Sequence, residues 1–171
     1  MTVILNNQKA MAVDMTSARS FVRRLKTALK LGHREFNVCF VDDRAIGRLN
    51  HAHRGKARAT DVLSFPWHGE AELAAGTKRR DNARRQNGKR EFEHFLGDIV
   101  ISVETARHNA RREGHSVANE IRWLILHGAL HLLGYDHEAD RGEMTALELE
   151  LRDRLGITTG RQQPALSARR R

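Results

Sequence analysis

Three histidines stand within eleven residues in the segment His127-Gly128-Ala129-Leu130-His131-Leu132-Leu133-Gly134-Tyr135-Asp136-His137. Side chains four apart on a helix sit one above the other, so His127 and His131 can aim their imidazoles at a single point. Gly134 then lets the backbone leave the helix and bring His137 back toward that point. A zinc ion takes imidazole nitrogens at about 2.0–2.1 Å in a roughly tetrahedral array, and three protein ligands leave one position for water. Each histidine alone reads as an ordinary core or surface residue. The three together, with the glycine between them, point to a metal cage.

The spacing H-x3-H-x2-G-x2-H is shared with a large group of zinc proteases, which need a Glu directly after the first histidine to take a proton from the attacking water. That position is Gly128 here. Peptidase chemistry of that kind is therefore disfavoured while the metal cage stands. Zinc lowers the pKa of its bound water toward about 7 and can polarise a phosphoryl oxygen, so hydrolysis does not require that carboxylate. Asp136, next to His137, can accept a hydrogen bond from a ligand imidazole and so orient it, or can simply form the turn.

Attack on a phosphodiester builds negative charge on the phosphoryl oxygens, and an arginine meets it with two directed hydrogen bonds. Arg54, which follows His53 at the end of a predicted helix and precedes Lys56 and Arg58, is the first candidate; an ordinary solvated arginine is the bland reading. The formal charge of the 171 residues is +9, and it is unevenly placed. Residues 78–90 carry a net +6 and residues 161–171 a net +4, so the remainder is close to neutral. Two basic appendages on a near-neutral body suit a polyanion touched at defined places, and nucleic acid is the favoured partner. Lys56, Lys78, Arg79, Arg80, Arg84 and Arg85 are the candidate phosphate contacts. Only 5% of the residues are aromatic, which leaves few platforms for base stacking.

The elements that must position these groups follow from periodicity and caps. A short strand is expected over 2–5, interrupted by Asn6-Asn7, and a helix from about Ser17 to Leu31, with Asp14, Thr16 or Ser17 as cap and Gly32 as its stop. Phe36–Val41 reads as a mostly buried strand, and Asp42-Asp43 caps a helix that ends near Arg54-Gly55. Asp61–Phe65 is a strand closed by Pro66 at a functional edge or a turn. Residues 68–94 form a long charged excursion that supplies no core layer. Strand character returns at Phe95–Ile101, followed by a helix over Val103–Arg112 that stops at Gly114. Ser116 caps a mostly buried helix ending at Gly134, and a last helix runs from about Arg141 to Leu155 with Met144, Leu147, Leu151 and Leu155 on one stripe. Asp61 and Asp98, near strand ends, read as caps or structural acceptors.

These runs give a helix-rich α+β fold with three or four short strands, whose order the pattern leaves open. Residues 1–157 are expected to form one domain, including the excursion at 68–94, and 158–171 a flexible basic tail. Cys39 is the only cysteine, which excludes an internal disulfide and fits a reducing, cytoplasmic setting; in Val38-Cys39-Phe40-Val41 it reads as a buried small hydrophobe. No stretch approaches the ~20 apolar residues a bilayer span needs, so no membrane partner is expected.

The sequence closely resembles the YbeY family of bacterial metal-dependent endoribonucleases, which act in ribosomal RNA maturation and ribosome quality control. The family's signature matches His127, His131 and His137, with Gly128, Leu130, Leu132, Gly134, Tyr135 and Asp136 in their expected places. Two further segments match: Leu49-Asn50 through His53-Arg54-Gly55-Lys56 to Thr60-Asp61-Val62-Leu63-Ser64-Phe65-Pro66, and Leu96-Gly97-Asp98-Ile99-Val100-Ile101-Ser102. The resemblance implies a small mixed central sheet flanked by helices, with a long central helix carrying two of three metal-ligand histidines. It implies one Zn²⁺ on His127, His131 and His137, with Arg54 in the catalytic groove.

The implied reaction is hydrolysis of single-stranded RNA in late rRNA processing, at the 16S rRNA 3′ end. Ribosomal RNA, ribosomal proteins and a ribosome-associated GTPase are the implied partners. Whether water or the neighbouring 2′-OH attacks stays open, as does oligomeric state. A zinc-stabilised, non-catalytic RNA- or ribosome-binding module is the competing reading. The excursion at 77–90 is longer and more charged than the family pattern requires.

Overall fold

The computed structural model describes residues 2–67, 94–136 and 140–158. Its elements, in chain order, are β1 (Ile4–Asn6), α1 (Met15–Ala28), β2 (Glu35–Val41), α2 (Asp43–Arg54), β3 (Val62–Pro66), β4 (Phe95–Ser102), α3 (Val103–Glu113), α4 (Val117–Leu132) and α5 (Glu143–Leu155). The strands form one mixed sheet in the order β1-β2-β4-β3. β1 and β4 both lie parallel to β2, and β3 runs antiparallel to β4. This is the α+β architecture expected, with the strand order now defined.

Alternation along the strands splits the core into two layers, because successive side chains point to opposite faces. Phe36, Val38 and Phe40 of β2 and Ile99 and Ile101 of β4 join Phe21, Val22 and Leu25 of α1, Ile121 to Leu132 of α4, and Met144, Leu151 and Leu155 of α5 in the main layer. Val41, Leu63 and Val100 face the other way and close over Ile46 of α2. α4 is thus buried between the sheet and the helices around it. Glu120 in its first turn is fully buried and paired with His115 at 2.6 Å. No described helix is long and apolar enough to cross a membrane.

Local chemistry sets most boundaries where the sequence places them. Asp42, Ser102 and Ser116 cap α2, α3 and α4 by accepting from the N–H groups of Ala45, Thr105 and Asn119. Three expectations need correction. Asn6 does not interrupt the first strand; it pairs with Phe40, and the Asn7 N–H donates to the Phe40 carbonyl at 2.8 Å. α1 begins at Met15 and ends at Ala28 and not at Leu31, although Asp14, one of the expected caps, does cap it by accepting from the Ser17 N–H. Lys30 takes the left-handed conformation first (φ 52°), ahead of Gly32 (φ 59°), and the Leu31 N–H closes onto the Lys26 carbonyl at 3.0 Å. Cys39 is half-buried beside the smaller layer, not fully enclosed.

Candidate metal centre

α4 carries His127 and His131 one turn apart, both half-buried. Their positions follow from how tightly the helix lies on the sheet. A Cβ at Gly128 would stand 2.7 Å from Ile99 Cγ2, so a glycine is needed for this approach. The Gly128 carbonyl also accepts from the Ser64 hydroxyl of β3 at 3.3 Å. Position 128 therefore faces β4. A glutamate there would collide with the sheet, which gives a packing reason for the missing protease base.

The two imidazoles meet edge to face, with centroids 4.7 Å apart and planes at 74°. Their Nε2 atoms are 3.1 Å apart. Two nitrogens sharing one tetrahedral zinc at ~2.0–2.1 Å stand about 3.3–3.4 Å from each other, so the pair fits that ion with little adjustment. The same distance suits a hydrogen bond from one neutral ring to the other. On its far side, His127 Nδ1 lies 3.5 Å from Glu148 Oε2 of α5, and Trp123 Nε1 donates to Glu148 Oε1. Burial alone pushes the Glu148 carboxyl up, but the hydrogen bonds from His127 and Trp123 and the charges of His127 and Arg152 outweigh it and hold it below the ordinary carboxylate range.

The helix ends as the glycine predicts. Gly134 takes φ 89°, its N–H donates to the His131 carbonyl at 3.0 Å, and the Tyr135 N–H reaches back to Leu130 at 3.1 Å. Tyr135 packs against the main core. Asp136 is exposed, and its carbonyl accepts from the Asp140 N–H at 2.8 Å. His137 lies outside the described residues, so the third expected ligand is not placed. Among the described residues no group of three metal-binding side chains converges.

Arg54 is the last residue of α2, where Gly55 turns left-handed (φ 67°). It is exposed, as is Lys56. Its neighbour His53 sets its ring against Phe65 of β3, with centroids 4.9 Å apart, one residue from the Ser64 that bonds α4. The end of α2 is thus tied to the histidine helix through β3. Asp98 accepts from Asn37 at 3.0 Å and Asp61 from Asn109 at 3.2 Å, which makes both structural acceptors. Lys78, Arg79, Arg80, Arg84 and Arg85 fall outside the described residues. No local pattern in the sequence marks Glu148 or Trp123. Glu148 sits beside the apolar stripe of α5, but its pairing with a histidine 21 residues away is not a local signal.

The family model for Endoribonuclease YbeY matches residues 3–156. The chain belongs to the YbeY endoribonuclease family. Among YbeY proteins, Endoribonuclease YbeY of Nautilia profundicola is 43% identical over 127 residues, covering 74% of this chain and 76% of that protein. The one from Solibacter usitatus is 41% identical over 140 residues, covering 82% and 78%. The one from Desulforamulus reducens is 38% identical over 164 residues, covering 92% and 99%. The solution structure of TM1509 from Thermotoga maritima superimposes with a TM-score of 0.58 at 26% identity, covering 91% of this chain and 89% of that one. Membership makes this YbeY chain a metal-dependent endoribonuclease of the rRNA-maturation type.

Proposed function

We propose that this chain cleaves single-stranded ribosomal RNA late in processing, at the 16S rRNA 3′ end, and serves ribosome quality control, using one zinc ion held by His127, His131 and His137. The observation that carries this reading is the 3.1 Å approach of two Nε2 atoms on α4. They stand just before a left-handed turn that leads the chain toward His137. Zinc, when bound, supplies an activated water and a Lewis acid for the phosphoryl oxygen.

The remaining work belongs to the protein's own residues. Arg54 at the end of α2 offers a guanidinium to the charge that develops on the phosphate. Asp136 orients a ligand imidazole. Lys56, Lys78, Arg79, Arg80, Arg84 and Arg85 hold the RNA backbone, which positions the strand without reading its bases. Residues 1–157 act as one metallohydrolase domain and 158–171 as a flexible basic tail.

The test is cleavage of labelled single-stranded RNA by metal-quantified protein. Parent protein should bind about one zinc and cut, His131→Ala should lose both metal and cleavage, and Arg54→Ala should keep its zinc while cleavage falls by about 10²–10³-fold. RNA binding by zinc-loaded parent without any cleavage would replace this reading with the non-catalytic binding module. A 2′,3′-cyclic phosphate product would assign the attack to the 2′-OH.

A further inference from the structure

We propose that Glu148 is a positioning residue of the metal centre: its carboxylate keeps the His127 proton on Nδ1, so that the Nε2 lone pair faces the point shared with His131. The inference rests on the metal reading above and adds to it a residue from a different helix. It follows from the two sides of one ring. His127 Nε2 lies 3.1 Å from His131 Nε2, while Nδ1 lies 3.5 Å from Glu148 Oε2. A neutral imidazole carries one N–H, and the nitrogen that meets an acceptor is the one that keeps it.

Glu148 is placed to be that acceptor. Its side chain is only 13% exposed, so water does not satisfy it. Oε1 is taken by the Trp123 indole N–H, which turns Oε2 toward His127. Trp123 and His127 are four residues apart on α4, so α5 lays one carboxylate across two successive turns of its neighbour. Met144 and Leu151, both buried, anchor α5 on either side of Glu148. Arg152 stands over the Trp123 ring at 5.4 Å and adds positive charge nearby, which favours the anion. A carboxylate that orients a metal-binding histidine is commonly worth 10–100-fold in metal affinity.

A mere strut between α4 and α5 predicts something different, and three measurements separate the two. Long-range ¹H–¹⁵N spectra of the metal-free parent should show His127 protonated on Nδ1; an Nε2–H tautomer overturns the proposal without any variant. In chelator competition, Glu148→Gln should weaken zinc binding by about 10–100-fold, because its amide can donate to Nδ1 and favour the wrong tautomer. Leu155→Ala, which loosens the far end of α5 without touching either bond to Glu148, should lower thermal stability but leave zinc affinity within about threefold. Unchanged zinc affinity in folded Glu148→Gln overturns the proposal. A parent that binds no zinc overturns the metal reading itself, and the tautomer measurement tells that failure apart.

Discussion

A Cβ built on Gly128 would meet three side-chain atoms of Ile99, at 2.7, 3.2 and 3.2 Å. Alanine normally gains about 1 kcal/mol over glycine inside a helix, but overpacking a tight core costs about 1–3 kcal/mol. Gly128→Ala should therefore destabilise the fold by a net ~0–2 kcal/mol in urea melts. In an Ile99→Ala background the same change should become neutral or stabilising, since the clash it meets is gone and the helical preference for alanine remains. Additive effects would show that the helix is not pressed on the sheet at this point. The same contact bears on chemistry, because it places His127 and His131 on the flank of α4 while position 128 faces the sheet. The sequence could show that the protease base is missing, and the packing shows why no side chain fits there.

At the level of elements, two joints can be tested. Lys30 holds a left-handed backbone (φ 52°) at the end of α1, a conformation that costs a residue with a Cβ about 1–2 kcal/mol. Lys30→Gly should raise stability by about 0.5–1 kcal/mol once the added freedom of the unfolded chain is set against the relieved strain. An equal or lower melting temperature would contradict it. Glu35 joins the start of β2 to α1 through Lys26 Nζ at 2.6 Å and to the residues just before β1 through the Thr2 hydroxyl. Partial burial pushes its carboxyl up, but these partners outweigh that and hold it below the ordinary range. A lowered carboxylate stabilises the fold above the ordinary pKa of about 4.3 and loses that contribution as pH falls through the folded value. Glu35→Gln should thus cost about 0.5–1 kcal/mol at neutral pH, and the gap to the parent should close below about pH 4. A gap that persists in acid would remove the ion pair as its cause.

Over the whole molecule, charge and site are separate properties. The net +6 of residues 78–90 and +4 of residues 161–171 leave a near-neutral body that carries the histidines. If the first segment holds RNA phosphates, Arg84→Ala with Arg85→Ala should reduce the slope of log binding constant against log salt by about 1.4, at about 0.7 per lost contact, without moving the cut. Removing residues 160–171 with no change in that slope would exclude the tail from contact. Caps, strands and the turn at Gly134 were legible in the chain because each depends on neighbours within a few residues. So was the pairing of His127 with His131, which needs only the helical repeat. The stop of α1 at Ala28 was not legible because the first left-handed residue after the helix is Lys30, and nothing in its residue type marks a lysine for that conformation ahead of Gly32. Strand order, the burial of Gly128 on Ile99 and the meeting of Glu148 with His127 were not legible, since each joins residues far apart in sequence whose approach depends on how the layers pack. One-dimensional spacing could nominate the ligands, but the three-dimensional packing of α5 against α4 supplied the carboxylate that faces one of them.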